Sequence, residues 1–256
     1  MNIVTLTTDL GTEDYFSAML KAEILTAAGN DHFFVDISHN IAAHDIQQAA
    51  YFLQTSYSKF PQGTIHVAFV YSYYNPAFEY IAFYKNGHYF IGPNNGLFSL
   101  LFDDLTEEDV YLVEFDDRNA NKLVAHAVAC IKNNLFPDEL GRHPTTFNRK
   151  LSLRAVITNN NIRATVIHKD HFDNVVLNVT KANFEKMRDG RNFELFYKQS
   201  DPITRLSKHY GDVAVGDVLC LFNSADLLEI AVNMGKAGTY LGLNKNETVQ
   251  IYFKER

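Results

Sequence analysis

The 256-residue chain has no tryptophan, only six prolines and only two cysteines, Cys130 and Cys220, far apart in sequence. Two distant thiols exclude a disulfide framework and a four-thiolate zinc site, and they point to a reducing cytoplasm. Positive charge is also short: 23 Lys and Arg face 30 Asp and Glu, a net charge of −7. That balance argues against a binder of phosphate backbones, which needs a basic face, so nucleic acid is not expected as a partner. No apolar run reaches the roughly 18 residues of a membrane span, and the opening MNIVTLTTDLG lacks a charged leader, so neither a membrane nor export is expected. Gly-x-Ser-x-Gly elbows, phosphate loops and dinucleotide fingerprints are missing as well.

What is present is ordinary globular material, 46% hydrophobic and 21% charged, with 20 Phe and 14 Tyr. A chain of this length buries about three quarters of its unfolded surface and needs no covalent staple. Its centre runs from Gly63 to Phe102, with strand-like segments at Thr64 to Tyr71, Tyr80 to Lys85 and His88 to Ile91. Asn86-Gly87 between the last two is a strong hairpin signal. Ser72 to Ala77 reads as an irregular loop after a strand, and Gly92 to Gly96 as a turn before a helix-like apolar run.

Before this centre, Asn2 to Thr8 and His32 to Ile37 read as strands, and Asp14 to Ala28 and Asp45 to Phe60 as helices, with Asp14 and the His44-Asp45 pair as expected caps. Alternating strands and helices predict a largely parallel sheet covered by helices. Val110 to Phe115 and Lys122 to Ile131 continue the pattern as a strand and a helix. Asn133 to Lys150, with Pro137 and Pro144, reads as a linker. Beyond it come seven short alternating segments, starting at Leu153, Ile162, Val175, Phe193, Val218, Leu227 and Val249, with one short helix at Ala182 to Arg188. The fold expected is therefore an α/β domain over 1–140 followed by a small β-barrel-like domain over 150–256.

Asp9 and Asp170 both end strand-like runs, where a carboxylate can accept ribose hydroxyls or an ammonium. On local pattern an Asx turn or a helix cap is the more ordinary role of such residues. Asp36, His39 and His44 match no zinc spacing, so no metal is expected. Tyr71, Tyr73 and Tyr74 fit either an aromatic wall or packing at an interface.

Taken together, several segments resemble one family over nearly the whole chain. They are Leu6-Thr7-Thr8-Asp9-Leu10-Gly11, Val35 to Ile41, Asp45 to Ala50, Phe60 to Val67 and Ile91 to Leu97; in the second half they are Val166 to Asn174, Asn223-Ser224 and Leu228 to Asn233. The pattern is similar to the S-adenosyl-L-methionine (SAM) hydroxide adenosyltransferases, relatives of the adenosyl fluorinase and chlorinase. The resemblance implies a homotrimer that takes SAM as substrate, needs no cofactor and lets water displace methionine from the ribose C5′. It implies that Asp9 holds the ribose diol, that Asp170 and Ser224 grip the methionine end, and that Phe172, Asn174 and the backbone near Met234 frame the adenine.

The chain departs from the hydrolase pattern in several places. Where those enzymes carry VDPGVG and then an arginine pair, this chain has Val70 to Ala77 with Tyr71 in place of the Asp, then Phe78 and Glu79; a later His-bearing segment becomes Arg118 to Lys122. Asp173 stands where glycine is usual. Tyrosine at position 71 is what the halogenase branch carries. Tyr71 and Glu79 are thus the candidates to replace the water-activating set, and the alternatives are a nucleoside-binding module without turnover or a transferase using another nucleophile such as halide.

Overall fold

The computed structural model describes residues 2–72, 79–117, 119–197 and 201–254. It divides into two compact units, Met1–Ser152 and Leu153–Arg256. Tyr73, Tyr74, Phe78 and Arg118, singled out above, lie outside the described residues.

The first unit runs β1 (Asn2–Thr8), α1 (Phe16–Ala28), β2 (His32–Ser38), α2 (Ile46–Ser56), β3 (Ile65–Phe69), β4 (Tyr80–Lys85), β5 (His88–Pro93), α3 (Leu97–Leu101), β6 (Tyr111–Leu112) and α4 (Ala120–Lys132). Its strands form one sheet in the order β2-β1-β3-β5-β4-β6, in which β1, β2, β3 and β5 are parallel and β4 runs against both neighbours. Strands with helices on both faces must be apolar on both faces, and every residue of β3 is buried. Alternate residues separate cleanly: Ile65, Val67 and Phe69 pack with α1 and α4, whereas Ala68 and Val70 pack with α2 and α3. The chain leaves β1 on one side for β2 and returns on the other for β3. Such a switch point opens a crevice at the carboxyl ends of the two strands, here β1 and β3.

Local chemistry explains most boundaries. Asn86 and Gly87 both take positive φ, 52° and 87°, in the β4–β5 hairpin. Asp45 caps α2 by accepting from the Gln48 N–H at 3.0 Å. The cap expected at Asp14 is not formed: α1 begins after Tyr15, whose carbonyl closes the first turn with the Met19 N–H, and Asp14 lies one residue too early. Gly92 lets β5 pack closely on β3, since a Cβ there would lie 2.5 Å from the Ala68 carbonyl oxygen.

Of the strand expected over Val110 to Phe115, Tyr111 and Leu112 form β6 and the Val113 N–H still donates to the Tyr80 carbonyl of β4 at 2.8 Å, while the Leu112 and Glu114 N–H groups turn the other way to the Arg142 and Leu140 carbonyls. Those partners belong to the stretch expected as a linker. It is a packed coil of the first unit, with Leu140 and Phe147 buried and Thr146 accepting from the Asn94 side chain at 2.8 Å.

The second unit contains β7 (Val156–Ile157), β8 (Asn161–Lys169), β9 (Val175–Thr180), α5 (Lys181–Arg188), β10 (Phe193–Phe196), β11 (Val218–Phe222), β12 (Leu227–Val232), α6 (Ala237–Leu241) and β13 (Thr248–Phe253). The sheet is antiparallel in the order β10-β13-β8-β9-β12-β11, with β7 beside β8. It is β-barrel-like because Ile203 bridges to Leu195 on one edge strand and Leu206 to Cys220 on the other, which partly satisfies edges that would otherwise stay open. Ile162, Ala164 and Val166 on β8 meet Val175, Leu177 and Val179 on β9 inside this curl. The five-residue α6 has no apolar period in the sequence that would announce it. Among the described residues, no helix is long and apolar enough to cross a membrane.

Candidate functional site

Asp9 is the first residue after β1, and its side chain is only 9% exposed. Its Oδ2 accepts two backbone hydrogen bonds, from the His44 N–H at 2.9 Å and the Tyr71 N–H at 3.1 Å. Both donors have left-handed backbones, with φ of 66° at His44 and 61° at Tyr71. Such conformations are strained for non-glycine residues and persist where the surroundings impose them. The result is a convergence of three chain segments on one carboxylate at the switch point. The His44 and Tyr71 rings lie 4.9 Å apart, and His44 Nδ1 is 3.8 Å from Asp9 Oδ2.

Supporting groups fix this arrangement. The Asn95 amide donates to the Val70 carbonyl at 3.0 Å, immediately before Tyr71. His39, whose protonation burial disfavours, meets the Thr8 hydroxyl at 2.8 Å and lies 3.1 Å from an Asp36 oxygen; Asp36 also pairs with Lys21. Among the described residues the Ser72 hydroxyl next to Tyr71 is buried without a hydrogen-bond partner. Asp36 and His39 thus meet each other while His44 sits beside Asp9, and no group of three or more His, Cys, Asp or Glu among the described residues could hold a metal ion.

In the second unit Asp170 follows β8 and organises a tight turn. Its Oδ1 accepts from the Phe172 and Asn174 N–H groups at 2.9 and 2.8 Å, and Oδ2 from the Asn174 amide at 3.0 Å. The Asx turn is therefore real. It leaves Phe172 standing out at 70% exposure while Asn174 is buried. Asp173, in the same turn, has φ 67°, the conformation that favours glycine. Its carboxylate accepts from the Thr239 N–H at 2.6 Å and lies 3.8 Å from Lys169, which compensates the strain.

A buried network lies under the neighbouring loop. Glu229 on β12 is 3% exposed, and it accepts from the Tyr210 hydroxyl at 2.9 Å and the Asn223 amide at 3.3 Å. Burial raises the Glu229 carboxyl above the usual range and the Asp170 charge raises it further, against the two hydrogen bonds; burial and Glu229 likewise push the Tyr210 hydroxyl up. Asn223 in turn accepts from the Ala225 and Leu227 N–H groups, which sets the turn that carries the exposed Ser224. Met234 has φ 56° and stands 87% exposed.

Models of two consecutive domains match this chain: the SAM hydroxide adenosyltransferase N-terminal domain over residues 4–130 and its C-terminal domain over 164–250. The chain belongs to the SAM hydroxide adenosyltransferase family. It is similar to a protein of Methanocaldococcus jannaschii named (R)-S-adenosyl-L-methionine hydrolase, 26% identical across 99% of this chain and 97% of that one. A Thermus thermophilus protein of the same name is 26% identical across 98% of this chain and its own full length. The fold is that of a Thermotoga maritima crystal structure, described as an uncharacterized conserved protein, with a TM-score of 0.84 over 98% of this chain and 100% of that one at 23% identity.

Within this chain, the structure brings Tyr71 to Asp9 and, separately, gathers Asp170, Phe172 and Asn174 in one turn. Ser224 and Met234 are exposed on turns beside β12. Glu79 is exposed just before β4, and its carbonyl accepts from the Asn94 N–H. None of the hydrogen bonds to Asp9 among the described residues comes from Glu79. Asn119 caps α4 through the Asn121 and Lys122 N–H groups. Sequence reasoning missed His44 as a neighbour of Asp9, which no local pattern signals, and it missed Glu229. A lone carboxylate inside the apolar run of β12 was the available signal for the latter.

Proposed function

We propose that this protein hydrolyses SAM to adenosine and methionine by attack of water at the ribose C5′. The observation that carries the reading is Asp9: among the described residues both backbone donors use Oδ2, which leaves Oδ1 to accept from a ribose diol. Family membership and the similarity to two proteins named as SAM hydrolases support the substrate. In this reaction the sulfonium loses its charge as the C5′–S bond breaks, so the leaving thioether needs no acid. What the site must supply is a positioned and partly desolvated nucleophile. Asp170 and Ser224 would hold the methionine end, with Phe172, Asn174 and the Met234 backbone around the adenine; the exposure of Phe172 and Met234 supports a role in contacts with a ligand or another subunit.

Incubation with SAM should yield adenosine and methionine in equal amounts by chromatography. Calorimetric binding of adenosine without product would instead favour a nucleoside-binding module, a reading favoured by Tyr71 standing where the hydrolases carry an acid. A 5′-halogenated deoxyadenosine formed in halide would mean transfer to halide. Tyr71→Phe keeps the ring and the backbone N–H that reaches Asp9. It should leave adenosine affinity unchanged and lower turnover by up to about ten-fold, the loss of one neutral hydrogen bond.

The assembly we propose is a homotrimer. Tyr15, Phe16 and Met19 at the start of α1 and Phe33 on the edge strand β2 are exposed apolar side chains of the kind that subunit contacts cover. Light scattering should give about three chain masses, and a clean monomer would remove the trimer reading. The free, buried thiols of Cys130 and Cys220 support a reducing compartment.

A further inference from the structure

We infer that Asp173 is a positioning residue for the nucleoside: it locks the turn that carries Phe172 and Asn174 onto α6, and so holds that turn in place beside the Met234 backbone. The inference rests on the reading above, in which these two segments frame the adenine. Asp173 has a φ of 67°, in the left-handed region that glycine enters freely, so a side chain is kept there against the local preference. That side chain reaches a helix 66 residues further along. The five-residue α6 makes no cap of its own, because the Lys236 side chain before it forms no capping hydrogen bond, and its first N–H groups need other acceptors. Asp173 supplies two. Its carbonyl accepts from the Gly238 N–H at 2.8 Å and its Oδ2 from the Thr239 N–H at 2.6 Å, the second of these being the bond that a capping carboxylate ordinarily makes from the preceding residue. Oδ1 lies 3.8 Å from Lys169 Nζ, and the side chain is only 18% exposed, so the bond to Thr239 is charge-assisted and sheltered. Gly238 completes the fit, since a Cβ there would lie 2.7 Å from Asp173 Oδ1 and 2.6 Å from Lys169 Cδ.

Asp170 closes the turn upon itself, but bonds within a turn do not fix where it sits relative to another segment. Asp173 does both. Its N–H donates to the Asp170 carbonyl at 3.0 Å, which builds it into the turn, and its carboxylate crosses to α6, which begins at Ala237 just beyond Met234 and Gly235. The helix is also held independently, because Ala237 and Leu241 are buried in the core of the second unit. Removing the carboxylate should therefore release the turn from α6 without unfolding either. A turn that occupies the competent position only part of the time lowers the apparent affinity for its ligand by that fraction.

Asp173→Gly keeps the left-handed backbone and removes the carboxylate; Asp173→Asn tolerates the same backbone and keeps an oxygen for the Thr239 N–H. In Asp173→Gly the circular dichroism should be unchanged and the Thr239 amide hydrogen should exchange faster. Adenosine should bind about ten-fold more weakly, the lower end of what a hydrogen bond to a charged group contributes. KM for SAM should rise by a similar factor with kcat little changed, the pattern of binding lost equally from ground and transition states. Asp173→Asn should stay within a few-fold of wild type throughout. Wild-type adenosine affinity in Asp173→Gly, a fall in kcat at constant KM, an asparagine variant as weak as the glycine one, or loss of the folded second unit would each overturn the inference. If the wild type binds adenosine but releases no product from SAM, the comparison of affinities still decides it. A wild type that neither binds adenosine nor consumes SAM would bring down the parent reading, an outcome recognisable because the wild type itself is silent.

Discussion

Asp9→Asn should weaken adenosine binding by about ten- to a hundred-fold, because hydrogen bonds to a charged acceptor contribute roughly 1.5 to 3 kcal/mol. The geometry sharpens the expectation. Oδ2 is committed to the His44 and Tyr71 N–H groups, and an asparagine oxygen can take over those two bonds. The amide nitrogen then occupies the place of Oδ1 and presents donors where a diol needs an acceptor. The fold should therefore survive while the ligand is lost, a combination that circular dichroism and calorimetry together would detect. Equal adenosine affinity in the two proteins, with the fold intact, would remove Asp9 from ribose recognition and with it the main structural support for a nucleoside ligand.

Acid should destabilise the first unit through His66. The ring is fully buried, with Nδ1 2.7 Å from the Thr5 hydroxyl and Nε2 3.3 Å from His88 Nδ1, among Tyr57, Phe60 and Phe90. Burial, with a smaller contribution from His88, pushes its pKa down from 6.5 to about 3. Above about pH 6.5 folded and unfolded chains both carry it neutral, and stability is at its full value. Between that pH and about 3 the unfolded chain binds a proton that the folded one refuses, so stability falls as pH falls, by about 1.4 kcal/mol per unit. From pH 6.5 to 4.5 the loss from this group is about 3 kcal/mol, and His88, also lowered by burial, adds to it. Urea unfolding of the first unit followed at several pH values should show this slope, and His66→Phe should reduce it by the share of one group. Identical slopes in the two proteins would mean that the unit relaxes to hydrate the ring instead.

Much of the fold could be read because the signals are local. The bounds of β1, β4 and β12 agree with the alternating runs from which they were read, and the Asn86-Gly87 turn was announced by its own backbone demands. One cap and one short element escaped. At α1 the first turn closes on the Tyr15 carbonyl, so a good capping residue at Asp14 goes unused, and α6 is too short to show a period. Asp170 was also a local matter, since the turn it organises spans only the next four residues.

By itself, then, the sequence determined the α/β unit and the β-barrel-like unit, the carboxylates that end β1 and β8, and the family motifs that imply SAM. Only the tertiary structure decided what those carboxylates touch. Asp9 meets His44 and Tyr71, which lie 35 and 62 residues away, and Glu229 meets Tyr210 across 19 residues. Such contacts depend on which strands neighbour each other and on where loops cross a switch point. Those choices follow from the burial of whole sheet faces, to which each side chain of the site contributes little, so no short pattern around Asp9 or His44 records their meeting.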